Sequence, residues 1–229
     1  MLPIWPSIHK AIPENRIQKS QKKLSELALY ISTKLTMMPH IFERVSKECS
    51  EIWDITKKRD KEVDYWNGHE GRALVLDDEL TYNLIIDLDS LMFELKSCLE
   101  IMRRFLIEIY KLTNKKINHK QINNEFKDII QHNAMNATWY DDLEKHRTFF
   151  IHLGAPYIAI DLTNEGKYYD LIIMKENLKK FDNRRKFLLL SDLNKIVNGF
   201  LKARGALQKH IIDYINNLPT NNLCRHKAN

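Results

Sequence analysis

Along most of this chain, apolar residues recur at steps of three and four, the spacing of one helix face. From about Arg16 to Lys34, the residues Leu24, Leu27, Ile31 and Leu35 share one side of a helix that Pro39 is expected to close. Ahead of it lies a short irregular lead ending at Pro13. A second helix is expected from roughly His40 to Lys58, with Phe42, Val45, Cys49 and Ile52 on its apolar side. Asp60 to Asp78 reads as a connection, since Asn67-Gly68 and Gly71 are turn signals. The longest pattern follows: Leu84, Leu88, Leu91, Leu95, Cys98, Met102, Phe105 and Ile109 alternate steps of four and three without a break. This heptad seam predicts a helix packed along its length against one or more partners. About thirty residues at ~1.5 Å each span roughly 45 Å, which suits an elongated bundle or a dimer.

Two shorter helices come next. Lys120 to Gln131 carries Ile122, Phe126, Ile129 and Ile130 on one side, and Trp139 to His152 follows Asn136 and Thr138 as candidate caps. Gly154 and Pro156 stop the latter. Only then does the period fall to two. Ile158, Ile160 and Leu162 alternate with Ala159 and Asp161, a turn follows at TNEGK, and Tyr169, Leu171 and Ile173 alternate again. The expectation is a β-hairpin at about 157–174, with Phe187 to Leu190 open as a third strand. Ser191 would cap a last helix whose seam reads Leu193, Val197, Phe200, Arg204, Leu207, Ile211, Ile215 and Leu218. Residues 219–229 read as a flexible tail. The fold class is mainly α, with a hairpin inserted before the final helix.

Composition sharpens this picture only in places. The chain has 229 residues, 44% of them hydrophobic, enough for one sizeable domain or a domain with an extension. Regularly spaced charges in both long apolar regions exclude a bilayer span, and MLPIWPSIHK lacks the layout of a secretory signal. A cytoplasmic location without membrane partners is the expectation. Cys49, Cys98 and Cys224 are odd in number and far apart, so reduced thiols packed as small hydrophobes are expected. Cys224 with His226 supplies too few ligands for a metal site. A net charge of +6 permits nucleic acid as a partner, through clusters such as Lys57-Lys58-Arg59, Lys115-Lys116, Lys179-Lys180 and Arg184-Arg185-Lys186. Each cluster alone reads equally as a solvated helix end or loop.

Several chemistries are absent from the sequence. It has no glycine-rich phosphate loop, no H-E-x-x-H, no zinc-spaced cysteine pairs and no G-x-S-x-G elbow. The carboxylate pairs Asp77-Asp78 and Asp141-Asp142 stand at helix starts, where the helix dipole favours them. What remains is RTFFIH, Arg147 through His152. Arg147 falls into the stripe Trp139, Leu143, Phe150 and Ile151. A charge there needs either an internal partner or a wet cleft. An internal partner would be Glu144 one turn back, or Glu94 or Glu100 on the long helix. The other use of Arg147 is to bind phosphate, with His152 as proton carrier.

Arg147-x4-His152 on a helix that follows a long amphipathic helix and a shorter one, and precedes a closing helix, resembles the HEPN superfamily (higher eukaryotes and prokaryotes nucleotide-binding). The resemblance covers roughly residues 77–218 and leaves 1–76 as an N-terminal helical extension. It implies an up-and-down helical bundle that dimerises through the motif-bearing face. It further implies metal-independent endoribonuclease activity without cofactors, in which the Arg and His of both subunits meet in one cleft. His152 would act as general acid or base and Arg147 would stabilise the phosphoryl transition state, giving a 2′,3′-cyclic phosphate end. The same resemblance implies the toxin half of a toxin–antitoxin or phage-defence system, with RNA as substrate and an antitoxin protein as partner. Its alternative is a non-catalytic dimeric module binding nucleotide, RNA or protein. Around the motif, Thr148 can hydrogen-bond and His146 can orient substrate or serve as a core neighbour. Glu94, Ser97 and Glu100 are candidates to orient the pair. Arg204 in the last seam either snorkels from a core face or contacts RNA, as Arg184, Arg185 and Lys186 would.

Overall fold

A computed structural model describes residues 4–59, 73–75, 78–132, 138–153, 157–161, 170–174, 183 and 186–218; at 59, 73–75, 78, 132, 150–153, 157 and 161 it describes the backbone alone. Among the described residues, six helices and four strands follow one another as α1 (Ile4–Ala11), α2 (Glu14–Arg59), β1 (Ala73–Val75), α3 (Asp78–Leu112), α4 (His119–His132), α5 (Trp139–Leu153), β2 (Tyr157–Asp161), β3 (Asp170–Met174), β4 (Phe187–Leu189) and α6 (Leu190–Asn216). The protein is mainly helical, and no helix among the described residues is long and apolar enough to cross a membrane.

Two compact units share the chain. Unit 1 comprises Met1–Thr36, Leu95–Thr138 and Gly199–Asn229; unit 2 comprises Met37–Glu94 and Trp139–Asn198. Helices α2, α3 and α6 supply residues to both.

The α3 seam is buried as its spacing predicts: all eight positions from Leu84 to Ile109 are at most 2% exposed. Three acids sit one residue ahead of seam positions and are buried with them, namely Asp87, Glu94 and Glu108. Charges this deep need partners. In unit 1, Glu108 receives Lys23 of α2 at 2.7 Å and Lys111 at 2.8 Å. In unit 2, Asp87 receives Arg44 of α2 through two hydrogen bonds, 2.8 and 2.6 Å. Asn114, at φ 57°, closes α3, and the Lys115 N–H returns to the Tyr110 carbonyl at 2.9 Å. The next helix opens on a reciprocal cap: Asn118 Oδ1 accepts from the Gln121 N–H at 2.9 Å and Gln121 Oε1 from the Asn118 N–H at 3.0 Å.

The hairpin forms at the expected place, β2 pairing antiparallel with β3 in the register Tyr157↔Met174 to Asp161↔Asp170. β4 joins as the third strand and β1 adds a fourth, giving the sheet order β1-β2-β3-β4 in unit 2. Both sheet faces are covered, since Ile158, Ala159 and Ile160 are all at most 1% exposed.

Several sequence expectations need correction. Pro39 does not close a helix; α2 runs through it as one 46-residue element. The apolar stripe continues across the proline as Met38, Ile41 and Val45, all buried, and this packing offsets the lost hydrogen bond. Phe42 is instead exposed at 40%. The irregular lead is α1, and the connection contains β1. The α6 seam runs through Ile196 and Ala203, both at 0%, so Arg204 is an exposed residue and not a seam member. Ser191 lies inside α6, with its hydroxyl donating to Asp170 Oδ2 at 2.7 Å. The 219–229 tail lies outside the described residues.

Candidate functional site

α5 belongs to unit 2 and carries the Arg147–His152 motif. Its buried arc is Trp139, Leu143, His146 and Phe149. His146, not Arg147, therefore occupies the stripe, and Phe149 takes the place expected of Phe150. Arg147 stands at the edge of that arc, half-buried, with Thr148 exposed beside it. A helix turns ~100° per residue, so Arg147 and His152 have Cα atoms about 140° apart around the axis, with Thr148 between them. The helix continues through Leu153, so no early end brings the two positions together. The side chain of His152 lies outside the described residues.

Arg147 Nε is buried and has no hydrogen-bond partner. No ion pair or hydrogen bond among the described residues involves this guanidinium, so neither Glu144 nor Glu94 holds it. Glu100 is engaged elsewhere, accepting from Arg103 at 2.6 and 3.0 Å and from Arg104 at 3.3 Å. The Arg103 hydrogen bond leads in holding its carboxyl below the usual carboxylate range, against the effect of burial. An unsatisfied buried donor costs ~1–3 kcal/mol, so this position is not explained by packing.

The other sequence-derived candidates scatter. Glu94 is buried in unit 2, while Ser97, Glu100 and Arg204 belong to unit 1. Arg184 and Arg185 lie outside the described residues. Lys186 is exposed ahead of β4, its N–H donating to the Asn183 carbonyl at 2.9 Å. Cys49 and Cys98 are free thiols, as expected, and Cys224 lies outside the described residues. Groups of three or more metal-ligating side chains are absent among the described residues.

Two polar clusters went unpredicted. In unit 2, Arg44, Lys47, Glu48 and Glu51 of α2 and Glu79, Leu80 and Asn83 of α3 line most of a cavity of about 430 Å³. Burial, then the neighbouring Asp87 charge, pushes Glu48 up to about 7. Its carboxyl is therefore a proton donor and acceptor near neutrality, and its Oε2 is buried without a hydrogen bond. In unit 1, Tyr110 Oη donates to Glu125 Oε1 at 2.6 Å and lies 2.8 Å from His210 Nε2. One hydroxyl proton cannot serve both contacts. With Glu125 an acceptor, His210 must donate from Nε2, which fixes its neutral tautomer. Burial raises Glu125, but hydrogen bonds from Lys115 and Tyr110 outweigh it and hold the carboxyl below its ordinary value. Burial likewise lowers His210 and raises Tyr110. The signal for Asp87 was legible as a charge three residues after Leu84, on the seam side. The Tyr110 cluster joins α3, α4 and α6 across a hundred residues and left no local trace.

No family model, curated protein or solved structure matches the chain.

Proposed function

We propose that the protein is a metal-independent endoribonuclease of HEPN type, with Arg147 at the scissile phosphate and His152 as the proton carrier. The observation that carries this reading is Arg147 itself, a half-buried guanidinium whose Nε meets no protein acceptor. A phosphodiester oxygen supplies the missing acceptor and a charge to match. The ribose 2′-OH would attack phosphorus, the bond to the 5′ oxygen would break, and the products would be a 2′,3′-cyclic phosphate and a 5′-OH. The proton leaves O2′ for an imidazole, and another is delivered to the departing 5′ oxygen.

The backbone geometry sets a condition on this chemistry. With about 140° between the two positions on one continuous helix, a single α5 does not converge them on one phosphate. A second copy facing the same helix does, by presenting its imidazole to the first copy's Arg147. Two copies also provide two imidazoles, one for each proton transfer. The reading thus requires a homodimer whose interface includes the α5 face bearing Thr148. Its place in a toxin–antitoxin or defence system, with an antitoxin partner, follows from the family resemblance alone.

The test is cleavage of RNA by purified protein in EDTA. Arg147→Ala is expected to lower the rate ~100-fold or more, the scale seen when one donor to a developing oxyanion is removed. His152→Ala should do the same. Full activity in the double variant would exclude this site. Thr148 favours a second reading: active Arg-x4-His enzymes often carry Asn, Asp or His after the arginine, and an uncharged residue there suits binding without cleavage. RNA binding by a wild type that does not cleave would select it.

A further inference from the structure

We infer that unit 1 is a docking surface for single-stranded RNA, separate from the Arg147 motif. The inference rests on the ribonuclease reading only for its choice of nucleic acid. Charge is divided unequally between the two units. Unit 1 carries 19 Lys and Arg against 7 Asp and Glu, a net of +12, whereas unit 2 carries 17 against 23, a net of −6. The whole-chain value of +6 conceals this split. α5 lies in the acidic unit, so the field around its own unit repels a polyanion at long range. Attraction has to come from unit 1.

Within unit 1, three of the seven acids are taken up by cations of the same unit. Glu108 is shared by Lys23 and Lys111, Glu100 by Arg103 and Arg104, and Glu125 is held by Lys115. Lys120 on α4 and Lys202 and Lys209 on α6 are exposed and make no ion pair among the described residues. These two helices meet where His210 Nε2 comes within 3.6 Å of Glu125. On α6, Lys202 and Lys209 are seven residues apart and so share one outer face, where Gly205 adds no side chain.

Acidic lipid would also attract such a surface, but membrane docking inserts apolar side chains among the cations. Here the larger share of apolar exposure lies away from these cations: five of the eight exposed large hydrophobics, Met37, Phe42, Tyr82, Ile86 and Phe93, belong to unit 2, and three, Leu29, Tyr30 and Leu201, to unit 1. A polyanion read through its phosphates fits better.

The experiment measures binding of a short fluorescein-labelled single-stranded RNA to full-length protein as a function of salt, in the Arg147→Ala background so that the probe survives. The triple variant Lys120→Gln/Lys202→Gln/Lys209→Gln removes three phosphate contacts. It should reduce the slope of log affinity against log salt by about 2 and weaken binding about 50-fold at ~0.15 M, taking each lysine–phosphate contact as neutral at 1 M. The matched triple in unit 2, Lys47→Gln/Lys58→Gln/Lys195→Gln, should change binding less than threefold. An equal loss in both triples, an unchanged slope in the first, or binding to phosphatidylserine vesicles but not to RNA would each overturn the proposal. Cleavage by wild type is scored separately, so a dead enzyme that still binds through unit 1 refutes the nuclease reading and leaves this one standing.

Discussion

Replacing Glu48 by glutamine tests the electrostatics of the cavity between α2 and α3 in unit 2. Glutamine imitates the protonated acid and cannot ionise. In the folded protein, burial first and the Asp87 charge second raise Glu48 from 4.5 to about 7, while Arg44 works in the opposite direction. A folded value above the unfolded one means that folding takes up a proton between them. The associated stability is fully present below about pH 4.5 and is lost as pH rises through about 7. The gap corresponds to at most ~3 kcal/mol. Glu48 is only partly buried, so solvent screening leaves roughly 1 kcal/mol. Urea denaturation followed by circular dichroism, on wild type and Glu48→Gln at about pH 4.5 and about pH 8.5, reports chiefly on this group, because titrations of groups that do not interact with Glu48 cancel in the difference. The variant should match wild type at the lower pH and exceed it by roughly 1 kcal/mol at the higher. A variant less stable than wild type at about pH 8.5 would refute the reasoning, because it would mean that Arg44 holds Glu48 as a needed anion.

Three more outcomes are expected. Arg147→Ala should leave the protein at least as stable as wild type, and up to ~1–3 kcal/mol more stable, in a chemical melt, because it removes a buried donor with no partner; a loss of ~3 kcal/mol or more would reveal a structural ion pair. Tyr110→Phe should cost ~1–2 kcal/mol, because it strands the His210 Nε2–H and removes one donor from Glu125, and loss of the slowly exchanging His210 ring proton in an NMR spectrum reports the same event. Burial, then the Glu48 charge, pushes the Cys49 thiol up to about 11, so at about pH 8 roughly one molecule in a thousand carries the thiolate; iodoacetamide should label it far more slowly in native than in urea-unfolded protein.

Much of the helical layout was legible because burial and spacing agree. The α3 seam and the apolar positions of α4 are all buried as their periodicity predicts, and the period-two hairpin forms in place. The failures have two causes: a local signal outweighed by packing or pairing, and a one-residue ambiguity in which position faces inward. Pro39 carries the usual stop signal, yet Met38, Ile41 and Val45 keep α2 packed on both sides of it. β1 has three residues, too few for a periodic signature, and exists through its pairing with β2. Arg204 and Ala203 were one position apart in a seam where a step of three or four decides between them, and the smaller apolar residue took the inside. The same one-residue ambiguity placed Arg147 on the α5 stripe that His146 occupies. Periodicity thus places Arg147 deeper than the half-buried position it holds, and the cavity around Glu48 carries no local signal because its parts come from two helices.

Arg147 is informative because this protein satisfies its other arginines where acids lie within reach. Arg44 makes two hydrogen bonds to Asp87 across a helix pair. Arg103 takes both oxygens of Glu100 and the oxygen of Asn123 at 2.7 Å, and Arg104 leans on the same Glu100. Glu144 stands three residues before Arg147, the spacing at which Glu100 meets Arg103, yet no such bond forms at Arg147. Helical spacing alone therefore does not explain the difference. The guanidinium thus stands at the edge of a buried arc, beside an exposed Thr148, with its Nε unsatisfied, which is the observation the ribonuclease proposal rests on. In the acidic unit, whose net charge is −6, a guanidinium without a protein acceptor is a local exception to a net field that disfavours anions. Under the ribonuclease proposal, that contrast would let the site grip one phosphate in register and release the product, while unit 1 would supply the general attraction for the polymer.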